Sequence, residues 1–106
     1  MFVAMNRITV QPDYVERFEY LFSTRAKEVD SEQGFREVQI LRPRKEGLPY
    51  IVMTYWDSEE DFNRWVETGA FMKGHSRGFG DMDKARQEGK QMPMHSDVET
   101  FEVFAR

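Results

Sequence analysis

The sequence predicts an α+β domain of the ferredoxin-like class, with the element order βαββαβ and an antiparallel sheet. Two helical segments, in which apolar residues recur at steps of three and four, alternate with the predicted strands. Four segments have the β-branched and aromatic composition of strands, and they lie near residues 2–10, 35–42, 50–56 and 97–105. We therefore expect the 106 residues to form a single domain.

The first predicted strand, 2–10, carries one polar residue on an apolar face. Side chains alternate along a strand, so Asn6 shares its face with Phe2, Ala4, Ile8 and Val10. A buried amide without a partner costs about 1–3 kcal/mol. Either a backbone partner, as at a bulge, or a ligand is therefore expected to meet Asn6.

The first predicted helix follows Pro12 and extends to about residue 29. Asp13 and Glu16 have the spacing of a capping box at its start. One apolar face is formed by Val15, Phe18, Leu21, Phe22, Ala26 and Val29.

The middle of the chain predicts a hairpin followed by a capped helix. Strands at 35–42 and 50–56 are joined by turn residues at 43–47. Ser58 is expected to cap the second helix, and acidic residues at 59–61 favour its first turn because they lie near the positive end of the helix dipole.

Glycines predict an irregular region after this helix. Gly69 is expected to interrupt the helix, and a short helical piece from residue 70 to residue 75 is expected to end near Gly74 or Gly78. An irregular loop is predicted at about 76–96, with one or two helical turns near 82–88. A loop of that length inside a compact domain is usually functional or mobile.

Composition excludes several classes of function. The net charge is −4 and the basic residues are scattered, so neither nucleic acid nor a membrane surface is the expected partner. The chain has no Cys, which excludes thiolate chemistry. The N-terminal residues show no signal-peptide pattern, so the cytoplasm is the expected location. The sheet face without helices needs a cover, for which we expect a second copy in a homodimer.

Three side chains could carry chemistry, although each also has a structural explanation. Trp65 could be a core residue, and His75 could be an exposed residue at a helix end. A neutral imidazole can also bind iron, and His95 is a second candidate. An unbroken helix would place His75 about 280° around the axis from Trp65. The break at Gly69 is therefore needed for both residues to line one cavity.

Together, three short segments resemble the IsdG-type haem-degrading monooxygenases of the antibiotic-biosynthesis-monooxygenase (ABM) superfamily. The segments contain Asn6 with Arg7, Trp65 and His75, in that order and at the family's spacing. Further similar segments are Gly34–Phe35, Leu41–Pro43 and Tyr50–Trp56. The resemblance covers roughly residues 2–78, and the last strand fits the same fold.

The resemblance implies a haem-degrading monooxygenase that opens the porphyrin ring with O2 and releases iron. Haem would be both substrate and cofactor, and an unidentified electron donor would serve as the external reductant. His75 is implied as the proximal iron ligand and Asn6 as a hydrogen-bond donor on the distal side. Trp65 is implied as the side chain that distorts the ring. Arg25 corresponds to a family arginine and could approach a haem propionate, although a solvated arginine fits the pattern better.

Two other functions remain open from the sequence. A cofactor-free monooxygenase acting on a polyketide-like or quinol substrate would fit the superfamily. A non-enzymatic module that binds haem would fit the candidate ligands. The segment 76–96 does not match the family closely, so the resemblance does not determine which product isomer is formed.

Overall fold

The computed structural model describes residues 1–25 and 27–106, with the side chains of all of these except residues 28, 70 and 72–74. The strands and helices, with two 3₁₀ turns at Pro12–Tyr14 and Glu28–Ser31, are β1 (Phe2–Val10), α1 (Val15–Ser23), β2 (Phe35–Leu41), β3 (Tyr50–Trp56), α2 (Glu59–Val66), α3 (Gly69–Gln87) and β4 (Met94–Glu102).

The four strands form one antiparallel sheet in the order β2-β3-β1-β4. This order and the helical crossovers confirm the predicted ferredoxin-like fold. Asn6 lies at the centre of β1, opposite Val52 on β3 and Val98 on β4. Directly opposed residues project from the same face, so all three belong to one surface of the sheet.

The helices cover that inner surface through two groups of buried side chains. We call the first the α1 cluster. It contains Ile8, Phe18 and Tyr50. We call the second the tryptophan cluster. It is built on Val29, Trp56 and Trp65, against which Phe2, Phe35, Phe62 and Phe71 pack. Trp56 is fully buried, and Trp65 is 9% exposed.

The first helix is shorter than predicted. It ends at Ser23 rather than near residue 29, and the predicted capping box does not form because neither Asp13 nor Glu16 caps a helix end. The hydroxyls of Ser23 and Thr24 donate to the Tyr20 carbonyl, which favours termination of the helix there. Val29 is buried as its spacing predicted, but it lies in a 3₁₀ turn. Ala26, assigned to the same apolar face, lies outside the described residues.

The second helix begins as predicted and is interrupted as predicted. The Ser58 hydroxyl accepts from the Asp61 backbone N–H, which is the expected cap. The interruption falls at residues 67 and 68, where the Thr68 hydroxyl accepts from the Phe71 N–H and starts α3. Gly69 is therefore the first residue of the new helix, and Thr68 is the residue that creates the boundary.

The prediction of an irregular loop at 76–96 is wrong. Residues 76–87 continue α3, so the helix does not end near Gly74 or Gly78. Only residues 88–93 connect it to β4, which begins at Met94 rather than at residue 97. Its bounds follow from pairing, because β4 lies against β1 along the whole of β1, from Val10 opposite Met94 to Phe2 opposite Glu102.

Candidate functional site

Asn6 is the polar residue on the inner face of β1. Its Oδ1 atom is buried and has no hydrogen-bond partner among the described residues. The side chain lies between Phe2, which packs on the tryptophan cluster, and Ile8, which belongs to the α1 cluster. Buried polar side-chain atoms are bonded in most proteins, so the free amide oxygen marks a position where a further partner is expected.

Trp65 brings a second such group to the site. Its indole Nε1 is buried and also lacks a partner within the described part of the chain. The helix break at Thr68 allows the indole of Trp65 to contact residues of α3. Such a break was predicted to be needed for Trp65 and His75 to line one cavity. The ring centroids of Trp65 and Phe71 are 4.9 Å apart, and those of Trp65 and His75 are 6.0 Å apart.

His75 lies within α3 rather than at the end of a helical piece. Its imidazole is stacked along the helix between Phe71, at 4.3 Å, and Phe79, at 5.7 Å. The Nδ1 atom is 2.7 Å from the Phe71 carbonyl oxygen. A carbonyl can only accept, so Nδ1 carries the proton and Nε2 of the neutral ring keeps a free lone pair. This is the state in which a histidine binds a metal.

The contacts of α3 place His75 above the middle of β1. Phe71 packs in the same cluster as Phe2, at one end of β1. At the other end, a methyl group on Gly78 would lie 3.4 Å from Met94 Cε, and Met94 pairs with Val10. His75 lies between these two contacts along the helix, and Asn6 lies midway between the two ends of β1. We infer from these contacts that His75 and Asn6 lie at a similar level along β1, one on the helix side and the other on the sheet side.

The inner surface of β4 beside this pair is open. Val98, directly opposite Asn6, is 60% exposed although it is apolar and faces the helix layer. Its neighbours on the same face, Ser96, Thr100 and Glu102, are also exposed. Phe79 on α3 is 37% exposed. The exposed Val98, with polar neighbours on β4, and the aromatic side chains of α3 thus border an opening next to His75, and pockets for small molecules commonly combine apolar walls with a few polar groups.

His95 does not join this site. It pairs with Thr9, three residues from Asn6, so its side chain lies on the outer face of the sheet. The imidazole is 75% exposed and stands 3.6 Å from the Asp97 carboxylate. His75 lies close to Trp65, whereas His95 lies on the other face of the sheet, so His75 is favoured over His95 as the candidate ligand.

Arg25 lies just beyond the end of α1. Its side chain is 22% exposed and bonds Asp30 at 3.3 Å, so it is neither fully solvated nor free of a partner. A neighbouring arginine, Arg77 on α3, was not singled out in the sequence. Its guanidinium binds the Thr24 carbonyl at 3.0 Å. The signal for Arg77 that the sequence offered was its position two residues after His75, a candidate ligand.

Comparison with known proteins identifies the family. A model of the antibiotic biosynthesis monooxygenase family matches residues 1–77. The chain belongs to this family. Beyond residue 77, β4 belongs to the same sheet, since it pairs with β1 along the whole length of β1.

Two curated proteins have related sequences. A Staphylococcus haemolyticus protein named "Heme oxygenase (staphylobilin-producing)" is 32% identical over 77 residues, which are 71% of this chain and 73% of that protein. A Mycobacterium tuberculosis protein named "Heme oxygenase (mycobilin-producing)" is 38% identical over 64 residues, 60% of this chain and 61% of that protein.

Solved structures of ABM-like proteins match the whole chain. The Mycobacterium tuberculosis haem degrader MhuD, with two haems bound in its active site, has a TM-score of 0.73 and 28% identity, covering 100% of this chain and 98% of that chain. SnoaB of Streptomyces nogalater, a cofactor-independent oxygenase, has a TM-score of 0.71, covers 99% of this chain and 94% of that chain, and is 21% identical. The second similarity supports the fold alone.

Proposed function

We propose that this chain is a haem-degrading monooxygenase, which opens the porphyrin ring of haem with O2 and external electrons and releases the iron. Two relatives that share more than 30% identity with the chain are named haem oxygenases. The observation that supports the same reading in this chain is the free Nε2 lone pair of His75 on α3, together with the Asn6 Oδ1 atom on the inner face of β1, which is buried without a partner among the described residues.

His75 is the proposed proximal ligand of the haem iron. The Phe71 carbonyl retains the proton on Nδ1, so Nε2 binds the metal without first losing a proton. The rings of Phe71 and Phe79, stacked on either side, restrict rotation of the imidazole. A histidine with a backbone partner on its other nitrogen is the usual arrangement for a metal ligand.

Asn6 and Trp65 are proposed to act on the substrate from the sheet side and from the helix side. The Asn6 side chain offers the substrate two groups at the centre of the site: its Nδ2 group can donate, and its buried Oδ1 atom, which lacks a partner among the described residues, can accept. The Trp65 indole limits how flat the substrate can lie, because it is packed against Trp56, with ring centroids 5.5 Å apart. It therefore has little freedom to move aside.

Haem is both substrate and cofactor, and its iron supplies the centre at which O2 is activated with electrons from an external reductant. The electron donor is proposed to be a separate molecule. Arg25 is proposed to approach a haem propionate, for which it would have to exchange its contact with Asp30.

The outer face of the sheet supports a homodimer. Helices cover the inner face only, and several side chains on the outer face are apolar and at least partly exposed. These are Met5, Ile51, Met53, Tyr55 and Phe101. A second copy packed sheet to sheet would cover them. Sedimentation velocity should give twice the 12.6 kDa monomer mass, and a monomer at micromolar concentration would contradict the dimer.

The proposed location is the cytoplasm, where haem and cellular reductants are both present. In the part of the chain that the structure describes, no helix has the length and apolar character needed to cross a membrane.

One spectroscopic series tests the proposed function. Hemin titrated into the protein should give a saturable Soret band. Addition of ascorbate in air should then bleach the band and release iron to a chelator. A complex that survives reductant and O2 would instead indicate a haem-binding module. No hemin binding, with O2 uptake on a phenolic substrate, would indicate a cofactor-free monooxygenase.

A further inference from the structure

Arg77 makes a multiple contact with the carbonyl end of α1. One guanidinium nitrogen, Nη2, donates to the carbonyls of Leu21 and Thr24, each at 3.0 Å. The other, Nη1, donates to the Thr24 hydroxyl at 3.0 Å. A cation at this end also complements the negative end of the helix dipole. Arg77 therefore fixes α3 to the last turn of α1.

Asp81, one turn further along α3, makes a second connection to α1. It accepts from the Tyr14 hydroxyl at 2.6 Å and from Arg17 Nε at 3.0 Å. Partial burial raises the pKa of this carboxyl, but the two hydrogen bonds outweigh it and lower the pKa below the ordinary value. Asp81 is therefore charged at neutral pH, and it holds the start of α1 as Arg77 holds the end.

The opposite side of α3 has much less support. Residues two apart on a helix are about 200° apart around its axis, so Arg77 points away from the face that carries His75. That face borders the exposed inner surface of β4, where Val98 is 60% exposed.

We propose that Arg77 is a positioning residue for His75. By binding the α1 carbonyls it sets the height and rotation of α3 above the sheet, and thereby the direction of His75 Nε2. Arg77 touches neither the substrate nor the imidazole. The inference rests on the proposed function, because His75 is taken as the iron ligand.

Three variants of the full chain test this role. Arg77→Met keeps the length of the side chain and removes every donor. Arg77→Lys keeps the positive charge. A lysine ammonium, however, cannot reach the three acceptors that the planar guanidinium of Arg77 contacts. Arg86→Met is the matched control. Arg86 is on the same helix and its side chain is 65% exposed. Among the described residues its guanidinium pairs with Asp83, which lies on the same helix.

The main readout is the iron–imidazole stretching band in resonance Raman spectra of the reduced, haem-loaded protein. Arg77→Met should shift and broaden this band, lower hemin affinity about tenfold and change the ratio of product isomers. Arg77→Lys should restore part of the band shift. Arg86→Met should match the unmodified protein in all three measurements.

Three results would overturn the inference, and they are distinguishable. If Arg77→Met melts at a lower temperature but its Raman band and product ratio are unchanged, Arg77 is only structural and the proposed function stands. If the unmodified protein itself lacks the band, His75 is not the ligand and the inference fails with it. Should Arg77→Met not fold, Arg77→Lys and Thr24→Val replace it, and an unchanged band in both overturns the inference.

Discussion

The two buried clusters treat their polar groups differently. At the α1 cluster, the Tyr50 hydroxyl donates to Glu19, which also binds Arg42 through two nitrogens at 2.7 and 2.9 Å. In the tryptophan cluster, the indole Nε1 atoms of Trp56 and Trp65 are buried without a partner among the described residues. The unpaired Asn6 oxygen lies between the two clusters.

This difference distinguishes residues that stabilise the fold from residues that are expected to contact a ligand. An unpaired buried polar group costs about 1–3 kcal/mol, so a fold under selection for stability alone would not keep several of them close together. The α1 cluster has the properties of a stabilising core. Trp65, at the edge of the tryptophan cluster, and Asn6 have those of a surface that is completed by a ligand. Single substitutions should therefore affect binding and turnover on one side and stability on the other.

The largest effect is expected at His75. His75→Ala removes the proposed iron ligand and should lower hemin affinity by more than about 100-fold, since loss of groups that merely support a ligand costs about 10–100-fold. Hemin titration followed at the Soret band measures this. His95→Ala is the control and should bind as the unmodified protein does. Retained affinity in the first variant and lost affinity in the second would reverse the assignment.

Asn6→Leu sharpens the comparison because it should move stability and activity in opposite directions. Leucine is similar in size and leaves no polar atom unpaired, so Tm of the haem-free protein should rise by about 5 °C. Haem degradation should slow by about 100-fold, as expected when a hydrogen-bonding group of an active site is removed.

The matched control for Asn6→Leu is Asn63→Leu, at an exposed position on α2. It should change neither quantity appreciably. A fall in Tm for Asn6→Leu would mean that the buried amide already has a partner in the haem-free protein.

Tyr50→Phe should give the reverse result. It removes a hydroxyl that is bonded to Glu19 at the α1 cluster, so Tm should fall by about 5 °C. Hemin affinity and turnover should stay within about twofold, because Tyr50 lies outside the tryptophan cluster. Tyr20→Phe, at an exposed ring on α1, is the control for loss of a hydroxyl. A tenfold loss of turnover in Tyr50→Phe would remove the distinction between the clusters.

The smallest effect is a pH dependence of the α1 cluster. Hydrogen bonds from Arg42 and then from Tyr50 lower the pKa of Glu19 from 4.5 to about 2. The folded carboxyl stays charged where the unfolded one is protonated, so its stabilising effect is complete above about pH 5 and is lost as pH falls toward 2.

The Tm difference between the unmodified protein and Glu19→Gln should therefore shrink over that interval. Glu16→Gln, at an exposed position on the same helix, should show no such trend. A constant difference between pH 6 and pH 2.5 would contradict the lowered pKa.

The sequence predicted the elements whose signals are local. Alternation of side chains identified the inner face of β1 and the unusual position of Asn6. The Ser58 cap and the interruption between Trp65 and His75 were also visible, because capping and helix-breaking residues act on their immediate neighbours.

Contacts between distant residues decided the rest. The glycines after residue 69 predicted an early end of α3, yet Arg77 and Asp81 hold that helix against α1. Arg77 also donates to the carbonyls of Leu21 and Thr24, at the point where α1 ends earlier than predicted. The start of β4 depends on its pairing with Val10, which no local pattern near residue 94 encodes.

A crystal structure of the hemin complex tests the central claim most directly. The account predicts a porphyrin between α3 and the β1–β4 half of the sheet, with Nε2 of His75 on the iron and the Asn6 amide on the opposite side of the ring. An iron bound by His95, or an imidazole of His75 directed into solvent, would contradict it.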